Sequence, residues 1–245
     1  MIPFERQNIK TVLFDLDGTL LQVEMQNYIS VYAASLAASL HKRAATDKVV
    51  NAVFSAIRSL IKRDSGDISN EAYFFRHIAD LLQLDVELIG RNFAGFFSTG
   101  LPVLDPFIQP LDLARSLLEA CLERGLDIVI ATNPVFPKVV VESRLARAGL
   151  ADFPFHRVTS YENCRRCKPN PVYFSDILTE LNRPAESCLM IGNDTQHDLA
   201  ARKVGIPTFL VDTWLIDRCQ GDFTTDLRGG HTDLLDFIMT IDKQR

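Results

Sequence analysis

Cysteine is scarce in this chain, basic residues are outnumbered by acidic ones, and no apolar run is long enough to cross a bilayer. Five cysteines in 245 residues are an odd set in a chain large enough to bury a core without covalent staples. That argues against a disulfide framework and for a reducing compartment, so a cytoplasmic location is expected. A single Cys-x-x-Cys pair, Cys164 and Cys167, lacks the second pair that a closed zinc site needs. Lysine and arginine total 26 against 31 aspartate and glutamate, a formal charge of -5. Binding along a nucleic-acid backbone requires a basic surface, so nucleic acid is not expected as the main partner. The stretch Ile29 to Leu40 is short and interrupted by serine, and Met1 to Lys10 lacks the charged-then-apolar layout of a secretory leader. No membrane association is expected. Repeats and low-complexity tracts are also missing, and 47% hydrophobic content is ample for a packed core.

What is present divides into two kinds of pattern. The run Thr11 to Phe14 is short, apolar and partly β-branched, as a buried strand is. After Thr19 the chain turns helical. Ile29 to Leu40, Asp47 to Lys62, Ser69 to Leu84 and Asp85 to Phe97 carry apolar residues at three- and four-residue spacing, with Asp47, Ser69 and Asp85 as expected caps. Gly100, Pro102, Pro106 and Pro110 then interrupt the pattern and mark a linker. From Leu111 onward strands and helices alternate. Strands are expected at 127–131, 157–159, 188–191 and 208–211, and helices at 111–124, 139–148, 171–181, 199–204 and 233–241. This order predicts an α/β protein: a Rossmann-like parallel sheet from residues 1–21 and 106–245, with an α-helical domain, 22–105, inserted into it.

Four short motifs sit at the ends of these elements. Asp15-Leu16-Asp17-Gly18-Thr19 places two carboxylates just past the first strand, at the sheet edge where open α/β sheets bind ligands. Asp15 suits a nucleophile there and Asp17 a proton donor, although Asp and Gly are also ordinary turn residues. Thr132 and Asn133 end another strand and offer a hydroxyl and backbone N–H groups to an oxyanion, or simply cap the next turn. Lys168, in Lys-Pro-Asn-Pro, puts an ammonium ahead of a helix start, where it either meets an anion or lies in a solvated loop. Asp194 and Asp198 come after a strand end at Gly192, spaced to share a face if helix begins there. Crowded carboxylates of this kind suit Mg²⁺, and equally Asp194 caps a helix.

Jointly, in this order and on these elements, the motifs resemble the haloacid dehalogenase-like hydrolase superfamily, in its branch with a helical cap inserted directly after the first motif. The resemblance spans nearly the whole chain. Phe14 to Leu20 looks like motif I, Thr132 like the motif II hydroxyl, Lys168 like motif III, and Gly192 to Asp198 like motif IV; the stretch Ala148 to Phe155 is similar to that between motifs II and III. The resemblance implies that Asp15 attacks phosphorus to form an aspartyl-phosphate, while Asp17 protonates the leaving alcohol and then activates water. It implies Mg²⁺ held by the Asp15 carboxylate, the Asp17 backbone carbonyl and Asp194, with Asp198 as a further ligand or a supporting partner. Thr132, Asn133 and Lys168 would bind the transferring group. Dehalogenases and phosphonatases of the superfamily typically lack the second aspartate, so Asp17 implies a phosphatase or a phosphomutase. The implied substrate is a small phosphorylated metabolite. A catalytically idle binding module that keeps the fold is the alternative from another class.

Other residues invite attention. Arginines beside Cys164 and Cys167 would lower a thiol pKa and make redox sensitivity a minor expectation. His197 reads as a solvent-facing helical histidine or an outer ligand, and His77 as a cap residue able to touch substrate. The aromatic groups Tyr73, Phe74, Phe75 and Phe93, Phe96, Phe97 read as helix-packing core.

Overall fold

A computed structural model of the protein describes residues 8–244, so the segment from Met1 that bears on a leader lies largely outside it. β1 (Thr11–Phe14) is buried throughout because helices cover both faces of the sheet it centres. Val12 and Phe14 point into one apolar cluster and Leu13 into the other, the strand's two-residue period dividing one continuous hydrophobic run between two cores. The other strands are β4 (Asp127–Ile130), β5 (Arg157–Val158), β6 (Cys188–Gly192), β7 (Thr208–Val211) and β8 (Leu227–Gly229). They form a six-stranded sheet in the order β5-β4-β1-β6-β7-β8, and every pairing is parallel. The α/β class expected from the alternation is the one observed. α5 (Asp112–Glu123) and α8 (His231–Met239) pack together on one side; α7 (Pro171–Leu181) packs with a 3-10 turn, Leu199–Val204, on the other.

Register decides where the motifs meet. Phe14 lies opposite Ile130 on one side and Ile191 on the other. The chain therefore leaves β1 at Asp15 with Ala131-Thr132 and Gly192-Asn193 as neighbours, and hydrogen bonds from Asp15 N to Ile191 O (2.8 Å) and from Ala131 N to Phe14 O (2.7 Å) continue the ladders to that edge. β1 is also where the order reverses, since the chain builds outward to β4 and β5 before returning to β6. In an open parallel sheet that point leaves a crevice.

Between β1 and α5 the chain forms β2 (Leu21–Val23), α1 (Met25–Ser39), α2 (Thr46–Lys62), α3 (Asn70–Leu82), α4 (Val86–Thr99), a 3-10 helix at Leu101–Phe107 and β3 (Ile108–Pro110). The Ser69 and Asp85 side chains cap α3 and α4, accepting from Ala72 N (3.1 Å) and Leu88 N (2.9 Å). Asp47 lies within the first turn of α2 instead of capping it. The Pro-rich return is more ordered than a linker: its prolines sit in the 3-10 helix and in β3, which pairs antiparallel with β2. Both connections to the helical insertion thus run through one two-stranded ribbon. Tyr28 and Tyr32 of α1 set their rings edge-on to Phe136 from the sheet side, with centroids 5.8 and 5.2 Å away, so one apolar cluster joins both parts. No helix among the described residues is long and apolar enough to cross a membrane.

His231, at the start of α8, is 4% exposed and ties the carboxyl-terminal helix to the first motif. Its Nε2 lies 2.9 Å from the Thr19 carbonyl and must donate to it, so Nδ1 accepts from the Thr213 hydroxyl at 3.0 Å, and Trp214 packs edge-on. Burial lowers the pKa of this neutral ring below its ordinary value of 6.5, with the Thr19 hydrogen bond opposing. A depressed basic group contributes stability that is complete above its unfolded pKa and is lost as the pH falls through it. We predict that His231→Gln costs about 1–3 kcal/mol at pH 8. Urea unfolding should show the gap to wild type narrowing at pH 5.5; an unchanged gap would mean that the ring is not held neutral.

Candidate active site

Three strands deliver the candidate residues to one edge: Asp15 and Asp17 after β1, Thr132 and Asn133 after β4, Asn193, Asp194 and Asp198 after β6. Lys168 arrives on the loop before α7. Two glycines let these loops close on one another. Gly18 turns at φ +91° and donates to Leu21 O at 2.6 Å, and a Cβ there would collide with the Asn193 amide. A Cβ at Gly192 would collide with the Asp198 carboxylate.

At the centre lies the Lys168 ammonium, 1% exposed, donating to Asp15 Oδ1 at 2.6 Å and to Asp198 Oδ1 at 2.7 Å. Burial works against that charge, yet the two carboxylates outweigh it and raise the Lys168 pKa further. Burial pushes the Asp15 carboxyl up to about 8, with the Asp198 and Asp17 charges adding to the rise and the Lys168 ammonium opposing it. A divalent cation at the site would act in the same direction as Lys168. The other Asp198 oxygen accepts from Asp194 N at 2.9 Å, so both of its oxygens are engaged by the protein. Asp194 closes its own turn, Oδ1 accepting from Gln196 N and His197 N, each at 2.9 Å. The turn after Asp194 is not an α-helix; regular structure resumes only as 3-10 at Leu199.

Two arginines complete the charge pattern. Arg144 of α6 (Lys138–Arg147) is 0% exposed and donates Nη1 to Asp17 Oδ2 at 2.6 Å. Its guanidinium lies 4.9 Å from the centre of the Phe136 ring and 5.6 Å from that of Tyr28, while Asp17 Oδ1 is buried without a hydrogen-bond partner. Arg218 donates Nε to Asp194 Oδ2 at 2.5 Å from the segment between β7 and β8. Only the first had a sequence signal. Val140, Val141, Arg144 and Leu145 form the buried face of α6, and an arginine at such a spacing marks a cation turned inward. Arg218 lies in a stretch with no periodicity to read.

Asp15, Asp17, Thr132, Asn133, Lys168, Asp194 and Asp198 all line one cavity of about 410 Å³. Its opposite wall, from the helical insertion and its entry strand, is apolar apart from Gln22: Val23, Met25, Ile29, Ile57 and Ile61. Among the described residues no group of three or more His, Cys, Asp or Glu is arranged to enclose a metal ion. Mg²⁺ needs no such cage, since it keeps waters and takes one or two carboxylates with substrate oxygens. The donor set fits it: Asp15 and Asp194 are oxygen donors on the same cavity, with buried oxygens Asp17 Oδ1 and Asn133 Oδ1 left unpartnered nearby.

Several expectations are corrected. His197 is neither helical nor solvent-facing: it lines the cavity in the turn, 17% exposed with Nδ1 3.6 Å from Asp194 Oδ2, and burial lowers its pKa. His77 stacks on Tyr73 and meets the Ser55 hydroxyl at 3.0 Å; it does not line the cavity. Cys164 and Cys167 are free but buried, and burial raises both thiols against the pull of neighbouring arginines, which leaves no activated thiolate. Phe74 and Phe93 are core residues with no exposure, as their helical spacing predicts.

Comparison with known proteins adds an independent line. Residues 9–205 match the family model of the haloacid dehalogenase-like hydrolases. A ribulose-1,5-bisphosphate 5-phosphatase from Halopiger xanaduensis is 30% identical over 241 residues, covering 91% of this chain and 98% of its own. A phosphoglycolate phosphatase from Rhodospirillum rubrum is 26% identical, with 82% and 79% covered. Among solved structures, a HAD phosphatase from Thermococcus onnurineus shares the fold at a TM-score of 0.59 and 21% identity, over 96% of this chain and 100% of that one. The L-2-haloacid dehalogenase of Xanthobacter autotrophicus also shares it (TM-score 0.54, 16% identity, 95% and 99% covered), so the fold alone does not separate the chemistries. With the family model matching residues 9–205, most of the chain, and the curated relatives named as phosphatases, the chain belongs to the haloacid dehalogenase-like hydrolases, as a phosphoric monoester hydrolase.

Proposed function

We propose that the protein hydrolyses a small phosphomonoester with Mg²⁺, through a phosphate ester on Asp15. The observation that carries this reading is one cavity holding two carboxylates in different settings, Asp15 on the Lys168 ammonium and Asp17 on the Arg144 guanidinium. Asp15 attacks phosphorus, and the ester P–O bond breaks as Asp17 gives its proton to the leaving oxygen. Asp17 then takes a proton from water, whose oxygen attacks phosphorus as the bond to Asp15 breaks, releasing inorganic phosphate. Lys168, Thr132 and Asn133 bind the transferring oxygens. Mg²⁺, when bound, would be held by Asp15, Asp194 and the Asp17 backbone carbonyl, and would offset the repulsion between Asp15 and the phosphate. Asp198 accepts from the Lys168 ammonium and from the Asp194 backbone N–H, and in this proposal it orients Lys168.

Residues 22–105 act, in this proposal, as a cap over the sheet residues 1–21 and 106–245. Their apolar wall faces the charged edge, and closure would exclude water while admitting only small metabolites. The relatives named for ribulose bisphosphate and phosphoglycolate support a substrate of that size. Five free cysteines accord with a cytoplasmic setting.

Asp15→Asn should lower the turnover of para-nitrophenyl phosphate by a hundredfold or more, about 2.7 kcal/mol of barrier; a smaller loss removes Asp15 as the nucleophile. Asp17→Asn should fold normally yet stall on an alkyl phosphate. In Gly192→Ala the new methyl would push Asp198 off Lys168, so kcat should fall while the protein stays folded by circular dichroism. Arg144→Lys should keep part of the rate and Arg144→Met little of it, with an altered pH profile of kcat in both. An unaltered profile would limit Arg144 to packing.

A further inference from the structure

The wall of the cavity beside the motif IV turn is built by residues 212–226, which leave the sheet after β7 and return at β8. This segment is pinned to the turn at many points. Ile216 N donates to Asn193 O (2.8 Å), Thr195 N to Ile216 O (3.0 Å), Asn193 Nδ2 to Trp214 O (2.6 Å), and Arg218 N to Thr195 Oγ1 (2.9 Å). Asp217 folds back on the backbone of Cys219 (3.0 Å) and Gly221 (2.9 Å). Arg218 is therefore carried on a rigid backbone.

Its charge differs from the others around the cavity. Lys168 and Arg144 are 1% and 0% exposed, each bonded to motif carboxylates, and Arg144, whose Nε and Nη2 have no partner, does not line the cavity. His197 is 17% exposed and sets Nδ1 3.6 Å from the Asp194 carboxylate. The Arg218 side chain is 43% exposed, spends only Nε on Asp194, and has no hydrogen-bond partner among the described residues for its two terminal nitrogens. These form the planar fork that matches a phosphate or carboxylate. The insertion opposite supplies five apolar residues and Gln22, so a second charge on the substrate finds no partner there. Such a charge finds its partner on the Trp214–Arg218 side, where Arg218 is, among the described residues lining the cavity, the exposed cation with unpartnered donors.

Resting on the hydrolase reading above, we infer that Arg218 receives a second anionic group on the substrate's leaving side, so that the preferred substrates are phosphomonoesters carrying a further phosphate or carboxylate. Arg218 is then a specificity residue that binds a group other than the phosphoryl being transferred. Its pairing with Asp194 links recognition of that group to the motif IV carboxylate.

The test compares matched pairs. Propane-1,3-diol bisphosphate and pentane-1,5-diol bisphosphate are set against their monophosphates, and 2-phosphoglycolate against 2-hydroxyethyl phosphate. Calorimetric binding with magnesium present uses Asp15→Asn protein, which cannot turn them over. The bis-anionic member should bind about tenfold tighter or more. Arg218→Gln in the same background should reduce that ratio to about threefold or less, and Arg218→Lys should retain an intermediate ratio. A preference in the bisphosphate pairs alone assigns the subsite to phosphate; one in the glycolate pair as well assigns it to either anion. A ratio near one with Arg218 present, or the same ratio in Arg218→Gln, overturns the inference. Wild-type turnover of the same compounds is read separately. Binding preference without phosphate release would retire the hydrolase reading and leave the Arg218 assignment standing.

Discussion

An ammonium with 1% exposure, placed between two carboxylates from different strands, sets the terms for everything around it. Taking such a charge out of water costs several kcal/mol, and removing one partner of a buried pair typically costs about 3–5 kcal/mol. Lys168 is therefore tolerable only if Asp15 and Asp198 both arrive, and each arrives only if β1 and β6 pair in the observed register. Asp198 is held in turn by the Asp194 backbone, and room for its carboxylate exists because residue 192 has no side chain. The constraint thus propagates from one ion triad into sheet order, loop course and residue choice. Two buried carboxylates beside one ammonium also suit the divalent cation proposed for the site.

The cavity is polar on one side and apolar on the other, and the division reflects the chain's construction. Strand ends supply charged groups on rigid supports, while amphipathic helices turn apolar faces inward and leave little polar material to offer a ligand. In the proposed reading, chemistry and phosphate recognition accordingly belong to the sheet edge. Discrimination among leaving groups, on this view, comes from shape on the helical side and from the one accessible arginine on the other. The paired β2 and β3 carry both connections of the helical part, so any movement of it must bend one ribbon instead of two independent loops.

Phosphatases and a haloacid dehalogenase share this fold at similar TM-scores. The proposed chemistry rests on a local feature: Asp17, two residues beyond the proposed nucleophile, fastened by a fully buried arginine from α6. A carboxyl held in that way has a defined place before substrate arrives, which is the property that the proposed proton transfer to a leaving group requires.

Much of this architecture is legible in the residue order. The strand-and-helix alternation, the four motif positions and the caps Ser69 and Asp85 depend on neighbours a few residues apart, and local periodicity and turn chemistry report such relations directly. The place of Asp47 inside its helix, the irregular turn after Asp194 and the burial of His197 are not legible there, because each rests on how a turn is supported from elsewhere. β8, at the sheet edge with only partly buried residues, carries too few apolar positions to signal. Raised thiols at Cys164 and Cys167 come from burial, which adjacent arginines in the sequence cannot reveal. Residue order settles which chemical groups stand at the ends of which strands. Folding in three dimensions is what brings Arg144 to Asp17 across 127 positions and Arg218 to Asp194 across 24, because a charge finds its partner by distance in space, and no local pattern encodes that distance.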